Sequence, residues 1–245
     1  MFAAGCGRSD PPQSTAPSTA PPTPPPPVAT GPNAADEYRA VMAALKPADI
    51  EQLEARNPLT DESESRLPPQ RLEELQPIIE QIKTASRMER CDFGIDYSDW
   101  PDIDLAQFAV FRTMARLLRA ETHAGLDAGD AERAAEALAA QIRLSRQVGG
   151  QTLLEATLAY GILAGALETI IEHDDEWQRQ QQARLHGELS LIDQADPFGG
   201  TAMVEWDAHK TRDHFAGPPY VEGAFQSRDQ VRTMLMNAMA VVQPE

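Results

Sequence analysis

The sequence predicts an all-α fold: antiparallel helical hairpins packed as an irregular bundle or short array, behind a disordered N-terminal tether. Three observations carry it. No proline occurs between Asp102 and Asp196. Ala, Leu, Glu, Gln and Arg, all good helix formers, dominate that stretch. Nowhere does the chain show the two-residue apolar alternation of a half-buried strand.

The tether comes first. Ten of the 20 prolines lie in the first 33 residues. Large apolar side chains are almost absent there, so the segment cannot bury enough surface to offset the entropy of ordering. It reads as disordered or polyproline II. The expected organisation is a signal-peptide remnant (1–5), a Pro-rich tether (6–33) and a helical domain (34–245).

Phe2-Ala3-Ala4-Gly5-Cys6 resembles a bacterial lipobox, in which small residues precede a cysteine that is lipidated on its thiol. A Pro/Ser/Thr-rich tether after the cysteine is common in such lipoproteins. The resemblance implies lipidation at Cys6, a membrane contact through the lipid alone, and a domain facing the periplasm or exterior. Fully extended as polyproline II, the tether would reach about 80 Å. Ala3 stands where the family usually has leucine, and only five residues precede Cys6, so this reading expects an export signal upstream of Met1. A cytoplasmic protein is the alternative.

The helices follow in order. Short ones are expected near 35–45, 48–56 and 69–88, broken or started by Pro47, Pro58, Pro68, Pro69 and Pro77. "NPLTDESESRLPP" reads as an acidic loop. Asp102 is a candidate N-cap for a helix near 103–125. Phe108, Phe111, Ala115 and Leu118 give it a core stripe at three- and four-residue spacing, widened by Val110, Met114 and Leu117. Gly125 and Gly129 bracket a turn, and Asp130 caps a helix near 131–148 anchored by Leu138 and Ile142. Gly149-Gly150 should stop it in a left-handed cap. Thr152 and Glu155 form a capping box that opens a helix near 153–173. Its run "ATLAYGILAGAL" reads as a buried central helix, with Gly161 and Gly165 allowing close backbone approach. Turns this short favour antiparallel neighbours.

"AETHAGLDAGDAERAAEALAAQIRLSRQ" resembles the turn of a tetratricopeptide-type (TPR-like) hairpin, with Gly129-Asp130 at the turn and Ala134 and Leu138 as small and large packing positions. The usual aromatic and proline marks are missing, and no second copy recurs at a 34-residue period. The resemblance implies a hairpin packing style and, through the family, peptide binding.

The net charge of −17 argues against a nucleic-acid partner, because an acidic chain repels phosphate backbones. Residues 34–102 carry 16 acids against 8 Lys/Arg, 103–148 carry 6 against 6, and 149–245 carry 15 against 6. A charge-balanced middle is flanked by two acidic arms. That middle holds the clearest candidate site: Arg112, Arg116, Arg119 and His123, spaced to share one helix face. Guanidinium forks suit an anion or an acidic peptide. The competing role is pairing with the protein's own acidic arms.

Three weaker constellations remain. Asp92, Asp96, Asp99, Asp102 and Asp104 lie in one loop with Phe93, Tyr97 and Trp100, but their spacing is not that of an EF-hand. Caps and turns explain these acids more simply, with the aromatics stapling the loop to the body. Cys91 reads as a packing residue. Glu205, His209 and Asp213 share a face of a helix expected near 200–215, with a solvated face as the plain reading. "EHDDE" at 172–176 reads as a solvated turn. No catalytic residue, metal or cofactor is assigned. The expected role is a non-catalytic helical scaffold or binding module in the bacterial cell envelope, with a protein or peptide partner. The alternative is an enzyme whose site assembles from distant residues, with His209 or His173 and nearby acids.

Overall fold

Asn33 opens the first helix of the computed structural model, α1 (Ala34–Ala44): its side-chain oxygen accepts from the Ala35 N–H at 3.3 Å. The structure describes residues 31–54, 67–95, 106–149, 152–194, 197–199 and 218–243. Among them there is no strand, and nine α-helices pack as a bundle. Cys6 and the rest of the tether, most of the acidic loop, Asp96 to Asp104, and Glu205, His209 and Asp213 lie outside the described residues.

Beyond α1 come α2 (Pro47–Glu54), α3 (Pro69–Glu74) and α4 (Gln76–Ser86). The single helix expected over 69–88 is two helices, joined at Leu75. Pro77 explains the break: without an N–H it suits a helix start and interrupts a continuous ladder. Asn33 also ties the segment after α4 to α1. Its side chain donates to the Asp92 carbonyl and accepts from the Asp92 N–H, each at 2.8 Å. Phe93 stacks edge-on against Phe111 at 5.1 Å, so this aromatic does staple its loop to the body.

Helix α5 (Ala106–Asp127) and helix α6 (Ala131–Val148) form the central hairpin. Phe111, Met114, Ala115, Leu117 and Leu118 are buried as the stripe requires. Asp130 caps α6, accepting from the Arg133 N–H at 3.0 Å. Gly129, at φ +68°, makes the turn in a conformation that side chains disfavour. Gly125 lies in the last turn of α5, and its carbonyl accepts the Asp130 N–H at 2.8 Å, closing the turn. A Cβ there would stand 2.8 Å from the Ala134 backbone nitrogen, so its absence sets how closely α5 and α6 approach.

The capping box at Thr152 and Glu155 is formed and opens α7 (Leu153–Glu172). Gly149 is not left-handed, as a glycine cap would be: its φ is −63°. The space it leaves is filled by the ring of Phe198, which a Cβ would approach to 2.9 Å. Within α7, Gly161 is exposed and faces nothing within 4 Å. Gly165 is buried, but its nearest neighbours are the side-chain ends of Arg119 and Gln141, each 3.4 Å from an added Cβ, and not a backbone. The close backbone approach expected at this glycine pair therefore occurs at Gly125 instead. Leu154–Glu172 is long and apolar enough to cross a bilayer, and here it is mostly buried against α5, α6 and α9 (Pro218–Val241).

Helix α8 (Arg179–Leu189) and a 3₁₀ turn (Pro197–Gly199) lie between α7 and α9. The packing is layered. One row runs α4, α6, α8. The other runs α1, α5, α7, α9, its first two members joined by the edge-on contact of Tyr38 and Phe111 at 5.7 Å. Helix α6 serves two apolar clusters. Ala140 and Leu144 join Tyr38, Ile79 and Met114 in the first, and Leu138 and Ile142 join Leu163, Leu185 and Leu235 in the second.

Candidate functional site

The arginine stripe on α5 divides in two. Arg112 is exposed, and Arg116, Arg119 and His123 are half-buried. Arg119 reaches toward α7, with its Nη1 3.6 Å from Glu168 Oε2. Its Nε is buried without a hydrogen-bond partner, as is Oε1 of Gln141 nearby. His123 meets His173, the C-cap residue of α7, ring to ring at 6.0 Å. His173 Nδ1 lies 2.7 Å from Glu176 Oε1 in the exposed turn at the end of α7. The lower half of the stripe thus lies along the α5–α7 seam, where an acid from the C-terminal acidic arm meets Arg119. Of the four residues, Arg112 alone is exposed.

The densest charged cluster is one that sequence reasoning missed. Glu121 is 1% exposed, on the core side of α5. Its carboxylate accepts from Arg133 Nε at 2.8 Å and Nη2 at 2.7 Å, and from Gln76 Nε2 at 2.7 Å. Lys83 Nζ, also buried, lies 3.6 Å away and bonds Glu80 at 2.9 Å. Burial is the largest single influence on Glu121 and pushes its carboxyl upward. The hydrogen bonds from Arg133 and Gln76, with the charges of Arg133 and Lys83, together outweigh burial and hold it below the ordinary value. A signal for this cluster does exist. Glu121 continues the register of Phe111, Met114 and Leu118, so a carboxylate sits on a core stripe and needs a cation.

Asp92 accepts from the Gly94 N–H at 2.8 Å, and Gly94 is at φ +65°; it is a turn residue, as its plainer role required. That bond first, and Arg90 second, keep its carboxyl below the usual range. Cys91 is partly buried against the core, and burial first, then Asp92, push its thiol up to about 12. A thiol so suppressed is a packing group and not an activated nucleophile. Among the described residues, no group of three or more His, Cys, Asp or Glu lies where it would hold a metal ion.

A second charged zone joins α6 to α8. Arg143 and Arg146 both bond Glu188, at 2.7 and 2.9 Å, and Gln181 and Arg184 both reach Glu132. These pairs tie neighbouring helices within one row. No protein-family model matches this chain, and neither does any curated protein or solved structure.

Proposed function

We propose that the protein is a non-catalytic helical scaffold, held in the bacterial cell envelope by a lipid on Cys6, that binds a protein or peptide through α5. The single observation carrying this reading is the two-row packing of α1, α5, α7, α9 against α4, α6, α8. Stacked hairpins of this kind, TPR-like in style, align successive helices into one extended surface. Arg112 stands exposed on α5, inside that alignment, and offers an acidic partner a planar fork of donors.

A site-specific photo-crosslinker tests it. Placed at position 116 in the full chain, one turn along α5 so that Arg112 is kept, it should trap one discrete partner in the native envelope. Placed at Thr84, an exposed position on α4, it should not. Equal labelling from both positions, or none from 116, would sink the reading.

The enzyme reading draws on one observation, the contact of His173 with Glu176 beside His123. A carboxylate-oriented imidazole is the usual form of an acid–base pair. His173→Ala separates the readings: it should leave crosslinking from position 116 intact if the protein is a scaffold.

A further inference from the structure

Among the described residues, Phe198 is the sole non-glycine residue with a left-handed backbone, at φ 61°. That region is sterically costly for a bulky L-residue, and residues held there by their surroundings concentrate at ligand clamps and switches. Phe198 sits in the three-residue turn Pro197–Gly199. Its ring lies 5.6 Å from the ring of Tyr160, and directly over the backbone of Gly149. Any side chain at 149 would collide with it, since a Cβ would stand 2.9 to 3.0 Å from three of its carbons. The buried hydroxyl of Tyr160 donates to the Pro197 carbonyl at 2.8 Å. Phe198 packs against both apolar clusters and yet remains partly exposed, so its seat opens to solvent.

We propose that Gly149 and Tyr160 form a slot for an aromatic peptide side chain, with Pro197–Phe198 as its built-in occupant. The turn shows the recognition chemistry. The ring lies on the bare glycine backbone, and the carbonyl of the preceding residue accepts from the Tyr160 hydroxyl. The ligand class is therefore an acyl-phenylalanine unit within a peptide. Such a peptide brings the same two groups without requiring a left-handed aromatic residue. Exchange of occupant releases strain in the turn, and the strain biases the plug toward displacement. This site is separate from the arginine stripe and does not rest on it.

The test removes the plug. Phe198→Gly deletes the ring and relieves the backbone. The folded variant should bind N-acetyl-L-phenylalaninamide saturably at one site, about tenfold tighter than the unaltered protein, whose slot is mostly occupied. Adding Tyr160→Phe should weaken that binding several-fold, because the carbonyl loses its donor. A folded Phe198→Gly protein that binds no probe, or no more tightly than the unaltered chain, overturns the proposal. A second measurement needs no substitution. In the unaltered protein, saturating probe should speed amide exchange at Phe198 and Gly199 relative to α7. Unchanged exchange there also overturns it.

Discussion

The Glu121 carboxylate accepts from two donors on one edge of the Arg133 guanidinium, Nε at 2.8 Å and Nη2 at 2.7 Å, across the turn of the α5–α6 hairpin. This is the strongest kind of charged hydrogen bond, because two parallel donors meet two acceptors. Removing the carboxylate leaves Lys83 buried and Arg133 half-buried with no acid at the centre. Glu121→Ala should therefore destabilise the fold by about 3 kcal/mol, read from urea denaturation. A loss near zero would mean that Glu80 and Glu136 take over the two cations.

The same pair fixes a pH dependence. Glu121 titrates below its ordinary value of 4.5 when folded. Its contribution is fully present above that value and is lost as pH falls through the lower, folded one. Between those two values, the unaltered protein should lose stability more steeply than Glu121→Gln. Parallel curves would contradict the assignment.

Most of the architecture is legible in the sequence, and the exceptions have physical causes. The α5–α6–α7 run is readable because its stripe, its Asp130 cap and its Thr152–Glu155 box all give the same boundaries. Helices α8 and α9 escape the same reading. Helix α8 buries only Gln181, Leu185 and Leu189, a stripe too thin to stand out among glutamines and arginines. Helix α9 begins at Pro218-Pro219, and paired prolines read as a breaker unless they occupy a first turn. The arginine stripe is visible as spacing, but its division is not. Whether an arginine pairs with Glu168 depends on how α7 lies against α5, which spacing on α5 alone does not encode.

Gly125 and Gly165 should respond oppositely to alanine. At 125 the new Cβ meets backbone, which cannot move without shifting α6, so Gly125→Ala should cost about 1–3 kcal/mol. At 165 it meets only the ends of two side chains at 3.4 Å. The higher helix propensity of alanine is worth up to about 1 kcal/mol, so Gly165→Ala should be neutral or mildly stabilising. Gly165→Leu should still destabilise, because it displaces Arg119 and the bond from Gln141 to the Ile162 carbonyl. Thermal melts of the three variants decide it.

Cys6 carries the envelope prediction. Expressed behind a native export signal, the protein should fractionate with membranes, and Cys6→Ser should release it into a soluble fraction. Identical distributions for the two forms would remove the lipid anchor and favour a cytoplasmic location.

Arg112 and Arg119 provide the sharpest separation of binding from folding. Arg119 is largely buried and engages Glu168, so Arg119→Gln should lower the melting temperature slightly, an effect on the order of 1 kcal/mol. Arg112 is exposed, so Arg112→Gln should melt with the unaltered protein. The partner trapped from position 116 is first identified and then titrated against each variant. Its affinity should fall with Arg112→Gln, and the fall should be larger at low salt, where exposed charges are least screened. If Arg112→Gln binds the partner as the unaltered chain does, the stripe serves the fold alone. Affinity lost only with Arg119→Gln, in proportion to the loss of folded protein, would lead to the same conclusion.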